Sequence, residues 1–126
     1  MPTPTNNPNV VGVTSIYANT AVDADVATSA VSLLTCADHK LLKINSLIIS
    51  NIDGTNAATI DVWVTRSSAD YYIAKTISVP ADASLVVIDK NMGLYLVVGD
   101  VLKIQASAAG DLSATCSYEE IDDATS

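Results

Sequence analysis

The sequence predicts an all-β protein, an antiparallel β-sandwich of jelly-roll type with about eight strands and an extended N-terminal arm. Three observations lead there. The apolar content is carried by Ala, Val, Ile and Leu, with five Tyr, one Trp and no Phe; Val, Ile and Thr are stiff at χ1 and suit a pleated surface better than a helix. Short runs of alternating apolar and polar residues recur between Gly, Asp, Asn and Pro punctuation, which is the spacing of a sandwich or barrel. No stretch keeps a helical period of useful length. A chain of 126 residues is near the commonest domain size. The expected divisions are an arm over 1–10, a sandwich over 11–121 and an acidic tail over 122–126.

The arm carries Pro2, Pro4 and Pro8 among Asn6, Asn7 and Asn9. Proline removes main-chain donors, so this stretch neither pairs steadily in a sheet nor continues a helix. Val11 to Tyr17 is the first expected strand, and the polar stretch Ala18 to Thr28 reads as a loop. Ala30 to Cys36 follows as a strand and ends at Ala37-Asp38-His39. In the longest run, Lys40 to Asn51, Leu42, Ile44 and Ser46 share one face while Leu47 and Ile49 fall on the other. Such a change of phase means either a bulge near Asn45–Ser46 or burial on both sides.

Asp53-Gly54 marks a turn. Ala58, Ile60, Val62 and Val64 then alternate with Thr59, Asp61, Trp63 and Thr65, a half-buried strand that puts Trp63 on its polar face. Tyr71 to Val79 is the next strand, closed by Pro80-Ala81-Asp82. Ser84 to Asp89 is nearly all apolar and reads as fully buried. Leu94 to Val97 turns through Gly99-Asp100 into Val101 to Ala106, where Leu102, Ile104 and Ala106 share a face. After Gly110-Asp111, Leu112, Ala114, Cys116 and Tyr118 alternate with polar residues. The run Glu119-Glu120-Ile121-Asp122-Asp123 is too acidic to be expected to stay paired for long.

Charge excludes some functions. The net charge is −8, and the six basic residues (Lys40, Lys43, Arg66, Lys75, Lys90, Lys103) are scattered. Nucleic acid, whose phosphates demand clustered Lys and Arg, is not an expected partner. No apolar run approaches the roughly 20 residues of a membrane helix, so no membrane is expected either. The start, MPTPTNNPNVVG, lacks the basic and apolar regions of a secretory leader. Synthesis in a cytoplasm without export by the common route is therefore expected.

Chemistry finds little to work with. Cys36 and Cys116 match no zinc spacing, and His39 is the one histidine. The thiols are either two buried free groups or a disulfide joining the second and last strands. His39 sits in the turn Asp38-His39-Lys40 with no local nucleophile or orienting partner. Carboxylate pairs occur at Asp23/Asp25, Glu119/Glu120 and Asp122/Asp123, but the aromatic groove of a glycosidase is not evident. Asn51, Asp53 and Asn56 offer oxygens to a cation, yet they lack the calcium-loop pattern and suit a turn built for backbone reasons. Neither an enzyme nor a cofactor is expected.

Three stretches carry a resemblance: LIISNIDGTNAATIDVWVT (47–65), YYIAKTISVPADASLVVIDK (71–90) and LYLVVGDVLKIQASAAGDLSATCSYEEI (94–121). Together they resemble small β-sandwich virion proteins of tailed bacteriophages, notably those of marine bacteria and cyanobacteria. The shared pieces are turns and strand ends, so no catalytic residue carries over, and the arm before Val11 has no counterpart. The resemblance implies a virion structural protein that binds the major capsid protein or other virion proteins. Its expected place is on the shell as a decoration (cement) protein. The alternatives are the neck, tail or fibre base, or a carbohydrate-binding adsorption module using Trp63 with Tyr71 or Tyr72. A homo-oligomer, by analogy a trimer, is implied as well. Candidate contact residues are Pro2, Pro4, Asn6, Asn7, Pro8 and Asn9 of the arm, with Trp63, Tyr71, Tyr72 and Tyr95. Tyr and Trp offer large apolar area with few rotors, which favours them at interfaces.

Overall fold

A computed structural model of the protein describes residues 15–122; the arm residues Pro2 to Asn9 lie outside that range. Among the described residues nine strands follow one another: β1 Ser15–Asp23, β2 Val31–Thr35, β3 Lys40–Asn51, β4 Ala58–Arg66, β5 Ala69–Val79, β6 Ser84–Ile88, β7 Leu94–Leu96, β8 Val101–Ala106 and β9 Leu112–Asp122. They form two antiparallel sheets. One runs β1-β9-β3-β6, with β7 also on β3, and the other runs β2-β8-β4-β5.

The pairing is nested. The first strand pairs with the last (β1 with β9), and β2 with β8. Further in, β3 pairs with both β6 and β7, and β4 with β5. A single 3-10 turn, Lys90–Met92, separates β6 from β7, so the two form one interrupted edge. A long antiparallel hairpin rolled up on itself in this way is a jelly roll. The expected fold class is what the chain adopts.

The core lies between the sheets and is fed by inward positions of both. Leu42, Ile44, Leu47 and Ile49 of β3 face Ile60, Val62, Leu102 and Ile104 from the opposite sheet, all buried. Each such side chain contributes roughly 1.5–3 kcal/mol by leaving water. Leu42, Ile44, Leu47 and Ile49 all reach one core because β3 has a bulge: its register against β9 shifts between Ile44 and Ser46. Of the two readings of that phase change, the bulge is the one realised. Cys36 and Cys116 are free and buried, so no disulfide joins them.

Three expectations need correction. The polar stretch from Ala18 is not a loop at its start, because β1 continues to Asp23 and pairs with β9 over nine residues. An edge strand that packs one side loosely can be polar and still hold its ladder. Ser84 to Asp89 is not fully buried either: β6 is an edge, and Val86 on its outer face is 58% exposed. An apolar run cannot by itself distinguish a central strand from an edge. Finally, the acidic run stays paired through Asp122, against β1 on one side and β3 on the other. Lys40 Nζ makes this possible by donating to Glu120 Oε2 at 3.2 Å and Asp122 Oδ1 at 2.8 Å. Lys43 adds a looser ion pair with Glu119.

Candidate contact surface

β4 and β5 form a hairpin that brings most of the candidate aromatic residues together. Their register sets Trp63 opposite Tyr72 and Val64 opposite Tyr71. The turn between them is two residues long, and Ser67 and Ser68 both adopt positive φ, 53° and 65°. That is the backbone of a tight primed turn, which matches the twist of the flanking strands. On the facing sheet, β7 presents Tyr95. The result is a groove of about 430 Å³ at the open side of the sandwich, lined by Val64, Arg66, Tyr71, Tyr72, Leu94 and Tyr95, among others. Tyr71, Tyr72 and Tyr95 are 59%, 46% and 45% exposed. A second hollow of about 540 Å³ adjoins it through Arg66 and is bordered by Val97 and Val98.

Trp63 behaves differently from the expectation. Its position in the alternation does place it on the outer face, but it is only 5% exposed. Tyr72 covers it, with ring centroids 5.2 Å apart and planes at 32°, and Lys75 Nζ sits 4.3 Å above the Tyr72 ring. The three make a stack in which the exposed layer is a cation and a tyrosine. The indole N–H finds no acceptor among the described residues. Trp63 is therefore a foundation for the Tyr72 face, and it cannot serve as an open platform for a sugar.

Arg66 is the charged element of the groove, and its position is fixed from below. Its Nε donates to Asp100 Oδ1 at 2.8 Å and its Nη2 to Asp100 Oδ2. Asp100 is buried, and also accepts from the Val97 amide at 2.9 Å. The Arg66 fork holds the Asp100 carboxyl below the usual carboxylate range, overcoming the opposing effect of burial. A bidentate pair of this kind locks the guanidinium in one plane while leaving it half exposed to a partner. Gly99-Asp100 is the turn that the sequence predicts. Its second role as the seat of Arg66 has no local signal, because the partners are 34 residues apart.

The other candidates for chemistry are placed for structure. His39 is exposed in its turn at φ 63° and does not line the groove. Asn51 is buried and donates to the carbonyls of Asn56 and Val79. Asp53 accepts from the amides of Thr55 and Asn56. These side chains close the turn after β3, as the backbone reading of that turn expects. Among the described residues, no group of three or more His, Cys, Asp or Glu side chains is placed to hold a metal ion. Burial pushes the Cys116 thiol up to about 12, which keeps it protonated and unreactive at neutral pH. What the surface offers is apolar and aromatic area around the fixed Arg66 guanidinium, suited to binding.

No family model matches the chain, and no curated protein matches it. Solved structures do share its fold. A subunit of the disulfide-linked pili that form Bacillus endospore appendages overlays with a TM-score of 0.51 at 17% identity, covering 88% of this chain and 91% of that one. A chain of infectious bursal disease virus, Gx strain, overlays at 0.52 and 13% identity, covering 88% of this chain and 33% of that one. A pentameric capsid protein from metagenomic phage sequences overlays at 0.39 with 17% identity, covering 83% and 62%, a likeness too loose to inform function. The chain thus spans about a third of the bursal disease virus chain and nearly the whole of the pilus subunit.

Proposed function

We propose that the protein is a non-enzymatic structural subunit of a tailed-bacteriophage particle, binding the shell as a decoration protein. The observation that carries this is the groove. A rigid jelly roll presents Tyr71, Tyr72 and Tyr95 beside an Arg66 fixed by a buried carboxylate, the mixture of aromatic area and arginine that anchors protein interfaces. The resemblance of 47–65, 71–90 and 94–121 to small phage virion proteins supports the setting. The shared fold with a virus chain is consistent with it. On this reading the residues 2–9 supply a second contact, adding main-chain hydrogen bonds to a neighbour.

A second reading, a subunit of an extracellular appendage, is favoured by one observation: the overlay with the endospore pilus subunit spans 91% of that chain. Co-sedimentation of the purified chain with shells stripped of it separates the two. The decoration reading expects binding close to one copy per capsid subunit or a simple fraction of it, and at least a tenfold loss of affinity in a Tyr71→Ser/Tyr95→Ser variant. Removing residues 2–9 is expected to weaken binding further. No co-sedimentation of the intact chain would refute the shell assignment.

A further inference from the structure

The four edges of the two described sheets are not alike. A bare edge is a row of unpaired main-chain donors and acceptors, and proteins that stay single usually blunt it. β2 is five residues long, and its register shifts between Ser32 and Leu34. The edge opposite β1 is broken into β6 and β7 by the 3-10 turn. β5 is long but carries two register shifts, with Lys75 and a Thr76 at φ 53° beside the first. β1 has none of these devices. Its nine residues pair with β9 without a shift, and they include no Lys and no Pro. Its outer edge has no partner strand among the described residues, and of its amides that of Thr20 donates to Asn19 Oδ1 at 2.8 Å.

The side chains on β1 mark it as well. The two most exposed large hydrophobic residues among those described are Val22 at 70% and Ile16 at 62%, and both belong to β1. They lie on the same face, because Ala21 pairs with the buried Cys116 and faces inward, which puts the even-numbered residues outward. We infer that β1 pairs antiparallel with β1 of a second copy about a twofold axis at Asn19, joining the two β1-β9-β3 sheets into one.

In that register Ser15 meets Asp23, Ile16 meets Val22, Tyr17 meets Ala21 and Ala18 meets Thr20. The two apolar residues that water now touches most cover each other, twice by symmetry. The charges are compatible too. The chain carries −8 overall, but β1 holds only Asp23, and the register sets each Asp23 against an uncharged serine. A strand of this length spans roughly 30 Å. The contact it makes is at the small end of specific interfaces, below roughly 1,200 Å² in total. The dimer therefore forms reversibly, with a dissociation constant on the order of micromolar, and gains from being held within a larger assembly. An isologous edge gives a dimer and not the trimer that the resemblance implies.

This deepens the assembly reading by naming a partner, a second copy of the chain, and can fail separately from it. Sedimentation equilibrium of the intact chain from micromolar to millimolar concentration is the test. The intact chain is expected to pass from monomer to dimer, and Ile16→Lys/Val22→Lys to remain monomeric throughout. Both substituted positions are exposed, so folding persists, and buried Trp63 fluorescence verifies it. A Val86→Lys variant at the opposite edge, on β6, is expected to dimerise like the parent. A monomeric parent, a trimer, or a dimer that survives the double lysine change would each overturn the β1 contact. A monomeric parent that still co-sediments with shells would do so while leaving the decoration reading intact.

Discussion

Asp100 ties two distant parts of the chain together, and its removal should be felt in both. It is 1% exposed and receives Arg66 from β4 and the Val97 amide from the approach to β8. Replacing it by alanine removes charge-assisted hydrogen bonds and is expected to cost about 2 kcal/mol of stability, read as a lower urea midpoint. The acid dependence has a definite sign. Arg66 holds the folded carboxyl below its unfolded value, so its contribution is complete above about pH 3.9 and is lost as pH falls through the lower folded value. An Asp100→Asn variant should therefore lose less stability than the parent between neutral pH and pH 3. At this scale the sequence is legible where a residue acts locally, as with Asn51, Asp53 and Asn56 in their turn. It is not legible where the partner is remote. The outer-face placement of Trp63 follows from alternation with Val62 and Val64, but its burial depends on Tyr72 in the next strand, which alternation does not see.

Among the elements, the β4–β5 hairpin carries a visible inefficiency. Ser67 and Ser68 both hold positive φ, a conformation that costs an ordinary L-residue roughly 1–2 kcal/mol and that Asn-Gly adopts readily. Ser67→Asn/Ser68→Gly is expected to stabilise the fold by about 1 kcal/mol, raising the urea midpoint while Trp63 and Tyr72 stay stacked. A lower midpoint would mean that the serines make contacts worth more than the strain. The strands themselves are legible to different degrees. β8 and the start of β9 alternate cleanly because one face is deeply buried, whereas β3 changes phase at its bulge. The sequence pattern cuts β1 short because Ala18, Asn19 and Thr20 carry no apolar signal, and the strand is held by β9 alone. The end of β9 looks too acidic to pair, and the cross-strand reach of Lys40 to Glu120 and Asp122, with Lys43 at Glu119, reverses that.

For the whole molecule, nested pairing makes the first and last strands neighbours. β9 lies between β1 and β3 and supplies Leu112, Ala114 and Cys116 to the core. A chain ending at Gly110 is expected not to fold, shown by Trp63 emission that matches the urea-unfolded parent. Native-like emission from that fragment would contradict the nested account. Folding that depends on such distant pairings is also expected to be slow for the chain's size, in milliseconds to seconds. Sandwich class and strand count are legible because turn residues and alternation are local. The order of strands within each sheet is not, since it is set by which faces meet after the hairpin rolls. The exposed tyrosine groove and the open β1 edge both belong to this scale, and both suit a subunit that works by contact.

The central claim is membership of a phage shell, and the most direct measurement is the copy number of this chain in purified particles, by quantitative mass spectrometry against the major capsid protein. A decoration protein is expected at a ratio close to that of the capsid protein or a simple fraction of it. A handful of copies per particle would move the protein to the neck or tail, and absence from the particle would contradict the claim outright.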